Sequence, residues 1–163
     1  MKRTTPDLNW SDIGSQSSTT ARVLPGPRTR SLRFAATELG AAESFADAYR
    51  DLVRWDHRQS RWIVWRGHRW APDQDGGILR AATDHVRVQQ RLALETKNAL
   101  EKQQLVTHWM RFDRRAALDN LLVLSRHLVP ITTDGSQWDA DPWLLGCEDG
   151  VVGLTRGVLR KGA

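Results

Sequence analysis

The chain has a single cysteine, Cys147, so it can close no internal disulfide and build no cysteine-based zinc site. A reducing compartment is the expectation, and the cytoplasm is the simplest one. No glycine is followed by lysine, which removes the Gly-Lys-Ser/Thr phosphate loop and with it an obvious seat for ATP hydrolysis. The dinucleotide-binding glycine fingerprint and the Gly-x-Ser-x-Gly nucleophile turn are missing too. The histidines, His57, His68, His85, His108 and His127, never fall at His-x-x-x-His spacing, so spacing alone points to no metal chelate. Long apolar runs are also lacking. The opening Met1-Lys2-Arg3-Thr4-Thr5-Pro6 has no signal-peptide stretch, and nothing reaches the roughly 18 apolar residues that read as a membrane span. These absences predict a non-catalytic chain with no metal, no cofactor of its own and no membrane partner.

What is present is length for one ordinary domain, 163 residues, and a basic balance of 24 Lys and Arg against 19 Asp and Glu. Most of the cations are arginines, whose planar fork grips phosphate as well as neutralising it, so a nucleic-acid partner is compatible with the charge without being required by it.

Residues 1–33 are rich in Ser, Thr, Pro, Gly and Arg, as in Ser15-Gln16-Ser17-Ser18-Thr19-Thr20 and Pro25-Gly26-Pro27-Arg28. Such a stretch buries too little apolar surface to offset its ordering entropy and is expected to be a basic disordered tail, with Trp10 a stray aromatic. The folded domain is then 34–163. Apolar residues at Leu39, Ala42, Phe45, Ala46, Tyr49 and Leu52 predict a first helix with Thr37 as its N-cap. Helical patterning returns from Ile78 to about Leu94, and from about Leu100 to Leu128 with Pro130 beyond its end. Between the first and second helices lies a β-prone tryptophan segment, read as strand, turn, strand with Arg66-Gly67 near the tip. Turn signals at Asp149-Gly150 and Thr155-Arg156-Gly157 predict a second hairpin. The predicted fold class is α+β: a helical middle flanked by two small antiparallel β-hairpins.

From Arg54 to Trp70, arginines alternate with Trp55, Trp62, Trp65 and Trp70. Cations beside flat rings are what single-strand-binding surfaces use, one neutralising phosphates and the other stacking on bases. Arg58, Arg61, Arg66, His68 and Arg69 are the candidate nucleic-acid contacts. The competing reading makes some tryptophans core and leaves the arginines to solvate the outer face. Arg111 with Arg114 and Arg115, and Arg156 with Arg160 and Lys161, are further basic spots. Asp139 and Asp141, two apart, would share a divalent ion if they lay on a strand, the alternative of a metal-dependent nucleotidyl transferase. Pro142 directly after Asp141 favours a turn instead.

Two blocks of the chain resemble a known family. Leu39-Gly40-Ala41-Ala42-Glu43-Ser44-Phe45, followed by Trp62, Trp65, Gly67 and Trp70, is similar to the pattern Leu-Gly-x-Ala-Glu-x-Phe then Trp-x-x-Trp-x-Gly-x-x-Trp. Asp139-Ala140-Asp141-Pro142-Trp143-Leu144-Leu145, then Gly150 and Leu154, then Gly157 and Leu159, is similar to Asp-x-Asp-Pro-x-Leu-Leu, Asn-Gly-x-x-x-Leu and Gly-x-Leu. Both patterns belong to the N-terminal-like domain upstream of the superfamily 3 helicase in phage and plasmid primase-helicases and in the poxvirus primase-helicase. Asp149 in place of Asn, and Gly146-Cys147 after the leucines, are departures at turns. The resemblance implies an accessory role in DNA replication in phage, plasmid or other mobile elements, in a bacterial host cytoplasm. The partners it implies are single-stranded DNA, a superfamily 3 helicase module and further copies of the chain; pure protein–protein assembly without DNA is the alternative. A helicase would follow near Ala163, so the chain is expected to be a fragment or a reduced stand-alone product.

Overall fold

The computed structural model describes residues 34–67, 69–136, 141–147 and 150–160. The tail predicted over 1–33, His68, Asp139 and Lys161 lie outside the described residues. The first helix, α1 (Glu38–Ala48), starts as the sequence predicts: the Thr37 hydroxyl accepts from the Gly40 N–H at 3.0 Å. Its buried side is broader than the predicted stripe, taking in Ala41, Ala42, Phe45, Ala46 and Ala48, while Leu39 stays half exposed. Gly40 allows this depth. A Cβ there would overlap the carbonyl oxygen of Ala35, where the chain turns into the helix.

Strands β1 (Val53–Asp56), β2 (Arg61–Trp65) and β3 (Trp70–Pro72) form an antiparallel meander, and β4 (Thr132–Thr133) adds beside β1 in parallel. The single hairpin expected here is therefore a four-stranded mixed sheet in the order β3-β2-β1-β4. The turn at Arg66 and Gly67 is where the sequence placed it, with Gly67 at φ 92° and the Arg66 N–H bonded to the Arg69 carbonyl at 2.8 Å. The extra turn, over residues 57–60, contains no glycine. The Asp56 carboxylate closes it by accepting from the Gln59 N–H at 3.1 Å, and Ser60 takes the left-handed conformation at φ 48°.

Helix α2 (Gly77–Glu95) buries Ile78, Ala81, Ala82, His85, Val86, Gln89 and Ala93 on one face. Asp73 caps it from outside, accepting from the Gly77 N–H at 2.8 Å and the Ile78 N–H at 3.1 Å. The single helical run expected over 100–128 is two helices, α3 (Ala99–Met110) and α4 (Arg115–Ser125), separated by a 3-10 turn over Arg111–Asp113 and an extended Arg114. No glycine or proline marks this break. Tertiary packing imposes it: the bend lets Trp109 and Phe112 enter the core from one side while Leu121 and Leu122 enter from the other. The C-terminal part is a three-stranded antiparallel meander, β5 (Leu144–Cys147), β6 (Gly150–Gly153) and β7 (Val158–Arg160), one strand more than the predicted hairpin. Gly150 and Gly157 sit at its turns with positive φ.

The core centres on rings. Phe45 stacks on Tyr49 at 4.8 Å between centroids, and His85 meets Phe45, Tyr49 and Trp109 edge-on at 5.8, 6.1 and 5.9 Å. The Tyr49 hydroxyl donates to the Ala81 carbonyl at 3.0 Å, and His85 Nε2 lies 3.1 Å from the Ser44 hydroxyl. Burial pushes the His85 pKa down to about 4 and raises that of Tyr49, the latter helped by Asp84.

Two outcomes test this packing. Gly40→Ala, which in a free helix would gain about 1 kcal/mol of propensity, is expected to lower the urea midpoint because the new methyl meets backbone; a raised midpoint would refute the close approach. His85 stays neutral when folded down to about pH 4, whereas the unfolded chain protonates it from about pH 6.5. Stability should therefore be whole above 6.5 and fall by roughly 3 kcal/mol between 6.5 and 4. His85→Gln should flatten that fall in denaturation curves recorded across the range.

Candidate nucleic-acid interface

Strand alternation divides the tryptophans between two faces of the first sheet. Cross-strand pairing sets Trp55 opposite Trp62 and Val53 opposite Val64, all buried against the helices. Trp55 and Trp62 meet edge-on at 5.3 Å, so these two are core. The other face carries Arg54, Arg61, Ile63, Trp65, Trp70 and Pro72. Trp65 and Trp70 face each other across β2 and β3 at 5.4 Å, both half-buried. The Arg54 guanidinium lies 4.9 Å from the Trp70 ring centroid, a cation–π contact.

Beside this pair the sheet approaches strand β5 and leaves a groove of about 410 Å³. The first sheet and its turns line it with Gln59, Arg61, Ile63, Arg69 and Trp70, and β5 lines it with Leu144 and Leu145. Asp56 forms part of the floor and is 1% exposed. Gly135, at φ 75°, brings the chain after β4 so close that a Cβ there would sit 2.7 Å from the Asp56 carboxylate. The groove thus combines exposed guanidinium groups, an aromatic plane and an apolar wall, a set that suits an unstacked nucleotide.

The predicted contacts do not all share this groove. Arg61 and Arg69 line it, and Arg58 is exposed on the neighbouring turn. Arg66 turns away: its guanidinium pairs with Asp75 at 3.4 Å and only 22% of the side chain is exposed. Asp75 also pairs with Arg80 at 3.3 Å. Partial burial opposes ionisation of Asp75, but its hydrogen bond with Asp73, the charges of Arg66 and Arg80 and the Gly77 N–H together hold its carboxyl below the usual range. Arg66 is thereby a strut between the β2–β3 turn and the start of α2. Arg111 and Arg114 are exposed at the α3–α4 junction, and Arg115 pairs with Asp119 at 3.0 Å.

In the second block Asp141 works as a turn residue. Its side chain accepts from the Trp143 N–H at 2.9 Å and its carbonyl from the Leu144 N–H at 3.2 Å, with Pro142 between them. Leu144 and Leu145 do not enter the core and are 49% and 52% exposed. Arg54 belongs to the alternating run but was not among the predicted contacts; its pairing with Ile63 puts it on the outer face. Sequence reasoning missed Gln59 and the leucine wall, the latter because it depends on how the two sheets sit together.

No helix among the described residues is long and apolar enough to cross a membrane. No curated protein and no solved structure matches the chain. A family model described as "D5 N terminal like" matches residues 42–163, which takes in both tryptophan-bearing blocks and the helices between them. The chain therefore belongs to the D5 N-terminal-like family, the N-terminal domain of primase-helicase-type proteins.

Proposed function

We propose that this domain is a non-catalytic accessory module of a DNA-replication primase-helicase, and that it binds single-stranded DNA along the groove beside Trp70. The observation that carries the reading is the convergence of Arg61 and Arg69 with Trp70 in one groove built from β2, β3 and β5. Two cations at its edge neutralise successive phosphates, and the indole offers a plane on which any base stacks, so binding is electrostatic and tolerant of sequence. Duplex DNA keeps its bases paired and unavailable to Trp70. Single strands are the better fit.

Fluorescence anisotropy with a labelled oligonucleotide at low salt tests this. Arg61→Ala with Arg69→Ala is expected to weaken binding and make the salt dependence shallower by about two phosphates' worth of slope. Trp70→Ala should remove about 1–3 kcal/mol of stacking without changing that slope. Unchanged affinity in both variants would exclude the groove. Arg66→Ala separates strut from contact: it should cost the fold up to about 1 kcal/mol while leaving DNA affinity closer to wild type than either groove arginine does.

A second reading, helicase-ring or self-assembly, is favoured by the C-terminal sheet. Trp143, Leu144, Leu145, Leu154, Val158 and Leu159 are each about half exposed there. An apolar surface of this kind, carried by β5, β7 and the residues beside β5 and β6, suits a protein neighbour. Sedimentation velocity decides between the readings: association that grows with concentration and is reduced by Leu145→Ser with Leu159→Ser, with no change on adding DNA, favours assembly.

A further inference from the structure

The fold brings together two histidines that lie far apart in sequence. His57 opens the β1–β2 turn, and His127 follows the last turn of α4; their rings lie 5.5 Å apart between centroids, with planes inclined at 40°. Both are exposed. The residues around them are fixed by packing. The Arg126 guanidinium lies 4.0 Å from the Trp55 ring centroid, and the His57 N–H bonds to the Thr133 carbonyl at 3.0 Å, holding the turn against the α4–β4 connection.

The hydrogen bonding of His57 sets its tautomer. Its Nε2 lies 3.2 Å from the Arg126 carbonyl oxygen, and since a carbonyl only accepts, Nε2 carries the hydrogen. The Nδ1 lone pair is then the basic nitrogen. A ring whose far N–H is held by a backbone carbonyl is the usual arrangement of a metal-ligating histidine, because that bond fixes the tautomer and orients the ring. The ring spacing agrees. With metal–nitrogen bonds of about 2.1 Å, two imidazoles on one tetrahedral ion have centroids roughly 5 Å apart.

We propose that His57 and His127 form a two-histidine site for a divalent transition-metal ion of the zinc, nickel or copper class, which imidazole favours over magnesium or calcium. Among the described residues no group of three or more His, Cys, Asp or Glu side chains gathers to hold a metal, so water completes the coordination. The bound ion links the turn carrying Arg58 and Gln59 to the end of α4, stabilising the edge of the groove on which Gln59 lies. The site does not depend on the DNA reading, since it uses none of the groove's cationic or aromatic groups.

The test uses the metal alone. The full chain, stripped with a chelator, is titrated with NiCl₂ while the imidazole resonances are followed by nitrogen-15 NMR, and its melting temperature is measured with and without ZnCl₂. The expected result is paramagnetic broadening of the His57 and His127 rings together, saturating at one ion per chain, and a higher melting temperature with zinc. The His57→Gln/His127→Gln variant should lose the zinc-dependent rise. Broadening of one ring without the other, no saturable broadening, or a thermal shift that survives in the double variant would overturn the site. If that variant fails to fold, the single variants decide: His57→Gln and His127→Gln should each alone lose the zinc-dependent rise.

Discussion

The rings of Phe45, His85 and Trp109 come from three helices and that of Tyr49 from the residue that ends the first, and their contact holds those helices at one spacing. His85 is the member that constrains the others. It is 1% exposed, its Nε2 faces the Ser44 hydroxyl, and the rings of Phe45, Tyr49 and Trp109 meet it edge-on. The imidazole sits where α1 and α2 meet, and at the start of α1 Gly40 leaves room for the Ala35 backbone, which a Cβ there would overlap. The hydrogen bond from Tyr49 to the Ala81 carbonyl sets the same two helices in register.

The first sheet is positioned from this centre. The inner face of the first sheet, Val53, Trp55, Trp62 and Val64, completes the core and commits the alternation of strands β1 and β2. Once those residues point inward, Arg54, Arg61 and Trp65 must point outward, so the cation and aromatic character of the outer face follows from the burial of the inner one. Asp73 and Asp75 tie the outer turn to the beginning of α2, and Arg66 is consumed in that joint. Arg66, at the hairpin tip, pairs with Asp75, while Arg61 and Arg69 line the groove.

Much of this was legible beforehand. The N-cap at Thr37, the periodic face of α2 and the positive-φ turn at Gly67 are local effects with local signals, and each appears where its residues predict. The turn over 57–60 escaped because its closure uses an aspartate side chain and a left-handed serine in place of glycine. The break at Arg111–Asp113 escaped because no helix-breaking residue encodes it. The two-residue strand β4 was invisible for a different reason: it exists through pairing with β1, some 75 residues earlier in the chain.

By itself the sequence determined the class of fold, the family and the alternation of tryptophan and arginine, since each rests on residue type and spacing along the chain. Tertiary structure alone decided which tryptophans are core and which are half-exposed, which arginine is a strut, that Leu144 and Leu145 wall a groove, and that His57 meets His127. Those outcomes depend on distances between segments far apart in the chain. Such distances are set by how the buried faces close on one another, and no local pattern carries them.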